Sequence, residues 1–147
     1  MDNDTITVGE LGVRFLVEAA DSNGSASVFK CNVPATSRMP APHSHDGFEE
    51  TIYGLEGTTT WTIEDETVDV GPGEVVCVRR GQIHGFQNRR DIDATFLAIA
   101  TPGVFGPAYF REVGDVIAAS VGGPPDPARI AQVMRRHGLT PAPPAAS

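Results

Sequence analysis

Short apolar runs alternate with turn-forming residues over about the first hundred positions of the chain, after which the period changes. From Ile6 to Val33 the runs ITVG, VRFLVEAA and SVFKCNV are rich in Val, Phe and Ile and are separated by turn formers such as DSNGS, a pattern that predicts strands. TTTWTIE alternates strictly, with Thr59, Trp61 and Ile63 on one face and Thr58, Thr60 and Thr62 on the other, so one of those faces belongs to a core. An acidic turn near Asp65 precedes TVDV, the turn GPG, the strand EVVCV, a loop ending in RGQ, the segment IHGFQN and a last strand, ATFLAIA.

After TPG the spacing becomes helical. Tyr109, Phe110, Val113, Val116 and Ile117 recur at intervals of three and four, the stripe of an amphipathic helix, although Gly114 weakens it. PPDPARIAQVMRRHG carries a fuller set of signals: Asp126 to cap, Pro127 at the first helical position, Ile130, Val133 and Met134 on one face, and Gly138 to terminate. Two helices on the outside of a β domain are expected. The tail TPAPPAAS has nothing useful to bury, so residues 1–140 read as one domain and 141–147 as a disordered tail.

Composition narrows the picture modestly. The length of 147 residues suits a single domain, and scattered glycines and prolines favour many tight turns over a helical bundle. A formal charge of −8 argues against nucleic acid or an anionic membrane as the main partner, because both need clustered Lys and Arg. The opening MDNDTITVGE has no cationic region followed by an apolar stretch, so a cytoplasmic protein is the expectation. The apolar run ATFLAIA is far shorter than the roughly 20 residues that span a bilayer. Cys31 and Cys77 lie in β-like runs and read as small buried hydrophobes.

Candidate chemistry concentrates in APHSHDGFEETIYGLEG, Ala41 to Gly57. Residues two apart on a strand share a face, so His43 and His45 can reach one cation. Among four histidines such a pair arises by accident in roughly one sequence in ten. Corroboration comes from Glu50, which follows His45 after four intervening residues and precedes Gly57 after six, and from a second segment, GEVVCVRRGQIHGFQN. There Gly73, Arg79, Gly81, His84 and Asn88 are separated by five, one, two and three residues.

At these two motifs the chain resembles the cupin superfamily, over roughly Ser25 to Gly103. The resemblance implies an all-β fold, a cupin jelly-roll barrel (double-stranded β-helix), here followed by two short C-terminal helices. It also implies metal ligands at His43, His45, Glu50 and His84. Glu49 and Glu50 face opposite ways on a strand, and the six-residue gap to Gly57 selects Glu50; Asp46 falls in the loop. Three imidazoles and a carboxylate suit one divalent transition metal (Fe, Mn, Ni, Co, Cu or Zn), with positions left open on an octahedral ion. His137 reads as a helix-terminal residue instead. Arg79 stands where the family pattern has proline, and either pairs with an acidic substrate or is solvated. Gly54 stands where relatives carry a larger apolar residue, and either enlarges the cavity or marks the close approach of another backbone. Phe86, in phase with His84, walls the pocket or belongs to the core; Tyr53 and Phe48 are equally open.

The whole-chain pattern is similar to single-domain cupins described as quercetin dioxygenase-like, which implies a small-molecule oxidoreductase with Glu50 as its proton acceptor. A non-redox isomerase, cyclase or lyase is the alternative, with a non-catalytic small-molecule binder third. Relatives commonly pair, so the resemblance implies a homodimer.

Overall fold

Alternation between buried and outward side chains is what makes the early runs strands. In β3 (Ser27–Val33), Ser27, Phe29, Cys31 and Val33 are buried while Lys30 and Asn32 are exposed. The computed structural model of the chain describes residues 4–39, 41–120 and 122–143. Around β3 the strands are β1 (Ile6–Val8), β2 (Leu11–Val17), β4 (His43–His45), β5 (Glu49–Glu56), β6 (Thr59–Ile63), β7 (Glu66–Val70), β8 (Val75–Val78), β9 (His84–Gln87) and β10 (Ala94–Thr101). Helices α1 (Pro107–Ala118) and α2 (Pro127–Arg136) follow, and then β11 (Leu139–Pro141).

Two antiparallel sheets face each other, one of six strands in the order β1-β2-β3-β10-β5-β8 and one of five in the order β11-β4-β9-β6-β7. Consecutive strands repeatedly cross between the sheets, as in a jelly roll. The core between them includes Phe29, Val33, Ile52, Trp61, Val78, Phe96 and Ala98. Trp61 enters it with its polar group satisfied, since Nε1 donates to Thr59 Oγ1 at 2.9 Å. Asn88 is buried as a structural residue: its Nδ2 donates to the carbonyls of Val33 and Ile92 at 3.0 and 2.7 Å.

The sequence reading needs three corrections here. Ala19 and Ala20, expected to end a strand run, instead form a 3₁₀ turn with Asp21, whose Oδ2 accepts from the Glu18 amide at 2.9 Å. The expected disordered tail starts too early: Leu139 is fully buried, Leu139–Pro141 pairs with β4, and the Ala142 amide donates to Pro42 at 3.1 Å. A single apolar side chain and an open sheet edge suffice for so short a strand, and an edge tolerates Pro141. Residues 144–147 lie outside the described residues. Cys31 is buried as expected, but Cys77 is exposed; both are free thiols.

The helices do more than lie on the surface. α1 packs on β1, α2 packs on β11, and the two helices pack together. Glu112 of α1 binds Arg136 of α2 and meets His137 Nε2 at 2.8 Å, which gives His137 the helix-terminal role expected of it. Asp126 caps α2 by accepting from the Ala128 amide at 3.0 Å. Gly114 explains itself through packing: a Cβ there would lie 2.4 Å from the Thr7 carbonyl oxygen in β1.

Two opposed effects meet at Gly114, a gain of up to about 1 kcal/mol in helix propensity on going to alanine and an overpacking cost of about 1–3 kcal/mol. Because the obstacle is backbone, the second wins. Gly114→Ala is expected to lower the urea unfolding midpoint, while far-UV circular dichroism shows α1 still formed.

Candidate metal centre

β4 presents His43 and His45 toward the barrel interior, and all three of its residues are buried. Its neighbour β9 begins with His84, which pairs directly with His43 in the register. That one pairing brings together residues about forty positions apart. The ring centroids lie 5.1 Å (His43–His45), 4.9 Å (His43–His84) and 4.5 Å (His45–His84) apart, and one nitrogen of each lies within 4.8 Å of the others. Glu50 comes from β5 in the opposite sheet, with Oε1 3.9 Å from His45 Nε2 and 3.8 Å from His84 Nε2.

Local hydrogen bonds settle which nitrogens are free. His43 Nδ1 donates to the Ala41 carbonyl and His84 Nδ1 to the Gln82 carbonyl, each at 3.0 Å. A carbonyl only accepts, so Nδ1 carries the proton in both rings and Nε2 keeps its lone pair. His45, stacked on Phe48 at 4.2 Å, has no hydrogen-bond partner at either buried nitrogen. An unpartnered buried polar group costs about 1–3 kcal/mol. A cation among the Nε2 atoms would give His45 the partner it lacks, and three neutral imidazoles form a donor set suited to a first-row divalent metal. The residues present therefore fit such an ion.

A family profile described as a cupin domain matches residues 29–100, which include all four of these side chains. The chain is a cupin. It is 27% identical over 115 residues to quercetin 2,3-dioxygenase of Bacillus subtilis, but spans only 33% of the length of that curated relative. Among solved structures it is similar to the polyketide cyclase RemF of Streptomyces resistomycificus, at 29% identity and a TM-score of 0.56, covering 71% of this chain and 78% of that one. A protein from Thermotoga maritima, described as a predicted oxalate decarboxylase, shares the fold at 24% identity with a TM-score of 0.60, over 64% of this chain and 82% of that one.

The cupin has a partly open cavity of about 50 Å³, bordered by the three histidines and Glu50. Phe86 lines it beside Trp61 and Phe96. Gly54, Tyr53 and Arg79 do not, and their expected places in the pocket are corrected. A Cβ on Gly54 would meet the Gly71 carbonyl oxygen at 2.0 Å, so this glycine admits a neighbouring backbone and enlarges nothing. Tyr53 lies at the outer surface, 41% exposed. Arg79 is exposed and borders an outer groove with Glu66, Val76 and Gln82. Glu49 points outward as expected and pairs with Arg80, whose hydrogen bonds lower its carboxyl to about 2. Tyr109, Val113, Ile130 and Met134 line the cavity from α1 and α2 and were missed. Their helical stripe was legible, but a stripe does not say what it packs against.

Burial controls the charge of the site. Desolvation first, then the neighbouring His84, lowers His43 to about 3 against a partial rise from its bond to Ala41. Desolvation likewise lowers His45 and His84. The same effect pushes Glu50 up to about 8.

Purified protein is expected to carry near one equivalent of divalent metal by elemental analysis, lost in His43→Ala and His84→Ala and released in acid; metal retained in both variants refutes the assignment. Chelated protein should show a stability maximum near pH 6.5. Below the ordinary histidine value of 6.5 the unfolded chain takes up protons that the buried imidazoles refuse, so stability falls with pH toward 3. Above 4.5 the folded form keeps a proton on Glu50 that the unfolded chain releases, so this residue's contribution falls as pH rises through 8. Between 4.5 and 6.5 three imidazoles outweigh one carboxyl. Urea midpoints measured across pH with and without chelator check this, and bound metal should flatten the alkaline arm.

Proposed function

We propose that this cupin is a metal-dependent enzyme acting on a small, largely apolar substrate that bears an oxygen function, with dioxygenase-like oxidation as its first chemistry. The observation that carries the reading is the joint burial of His43, His45, His84 and Glu50 in a cavity otherwise lined almost entirely by apolar and aromatic side chains. A divalent ion held by these four residues would supply Lewis acidity and, if redox-active, electrons for oxygen.

The chain's own groups supply the rest. Trp61, Phe86, Phe96 and Phe105 exclude water, which strengthens every electrostatic interaction inside. Glu50 is the one carboxylate among the described lining residues and, once ionised beside a bound cation, is the proton acceptor for a substrate hydroxyl. Size restricts the substrate: about 50 Å³ is well below the roughly 150 Å³ apolar cavity that takes up benzene. Quercetin and polyketides, which give two relatives their names, are larger than this cavity holds with its walls as they stand. An outer groove of about 420 Å³ shares Met39, His84 and Phe86 with the cavity, so substrate enters on that side past the flexible thioether of Met39.

The second reading is non-redox chemistry, an isomerisation, cyclisation or elimination. It is favoured by the similarity to the cyclase, which extends over most of that chain, against a third of the dioxygenase.

The test is a panel of small enolisable ketones and hydroxyketones, assayed with Fe(II)-, Mn(II)-, Ni(II)- and Zn(II)-loaded protein by oxygen electrode and product mass spectrometry. Oxygen uptake coupled to product, abolished by Zn(II) or anaerobiosis, is expected. Turnover that survives both selects the second reading. In either case Glu50→Gln should lower kcat by about 100-fold or more.

A further inference from the structure

Tyr109 brings the only oxygen or nitrogen that the helices contribute to the described cavity lining. It sits in the first turn of α1, beyond the residues 29–100 that match the cupin domain. Its side chain is buried, 5% exposed, and its ring meets His43 edge-on at 6.4 Å between centroids and Phe105 at 5.3 Å. The phenol hydroxyl hydrogen-bonds to none of the described residues. The hydroxyl belongs to the cavity wall and is not one of the sealed, unpartnered atoms, and phenylalanine, which fills positions 105 and 110 in the same cluster, would pack the ring without it. A phenol ordinarily titrates at about 10, so the hydroxyl is a donor at neutral pH.

We infer that the Tyr109 hydroxyl is a substrate-binding donor that gives its hydrogen bond to a carbonyl or enolate oxygen of a small molecule seated between α1 and the three imidazoles. This rests on the functional reading above and deepens it. The substrate must carry an acceptor oxygen that reaches the helical wall, and an analogue without one leaves the hydroxyl unpaired and binds worse. The region outside the matched cupin domain thus takes a direct part in selecting the substrate.

The probe is acetohydroxamate, a small chelating ligand with a carbonyl oxygen, titrated calorimetrically into metal-loaded wild type and Tyr109→Phe. Metal content is to be equal, Tm of the variant equal or higher, and Kd at least about 10-fold weaker. A second readout stays within the wild type. The only other tyrosine, Tyr53, lies at the surface, so a ligand-induced shift in tyrosine absorbance reports on Tyr109 and should vanish in the variant. A Kd within twofold of wild type, or a fall in Tm with unchanged Kd, overturns the role of Tyr109 alone. Wild type that holds no metal or binds no acetohydroxamate overturns the functional reading together with it.

Discussion

Three imidazoles and a carboxylate buried together behind aromatic walls set the terms for the rest of this structure. Burial holds the histidines neutral, which is the form that donates electron pairs, and it also pushes Glu50 toward its protonated form. The two effects conflict only while the site lacks positive charge. In the proposed centre a divalent cation meets both demands, accepting lone pairs from the Nε2 atoms and supplying the charge that an ionised Glu50 needs. The carbonyls of Ala41 and Gln82 prepare two of the rings by fixing their tautomers.

Geometry follows from the same constraint. One sheet carries the three histidines and the other carries Glu50, so the donor set converges only if both sheets close on each other. Register is the sensitive quantity: a one-residue slip of β4 against β9 would turn His43 and His45 outward together. β4 has only three residues and is held on its far side by β11, which pairs Leu139 with His45 and Pro141 with His43. A segment beyond the matched cupin domain therefore braces the strand that carries two of the candidate ligands.

The helices connect this bracing to the cavity. α2 runs directly into β11, α1 is seated on β1 by the missing side chain of Gly114, and Glu112 ties one helix to the other through Arg136 and His137. Together they close the cavity with Tyr109, Val113, Ile130 and Met134. Cover and candidate centre are parts of one packed unit, and this gives the C-terminal third a functional place.

The amino-acid sequence alone determined the strands up to β10 and both helices, because each depends on a period that survives without knowing the neighbour: two for a strand, three to four for a helix. The convergence of His43, His45 and His84 was implied only by the resemblance of two motifs to the cupins. Only the tertiary structure decided the rest. Gly54 meets the backbone of Gly71, Arg79 turns to an outer groove, Tyr53 faces outward, and the apolar stripe of α1 closes a cavity. Pattern shows that a face is buried or that a side chain is missing. What fills the space opposite comes from residues distant in the chain, and no local period encodes their arrival.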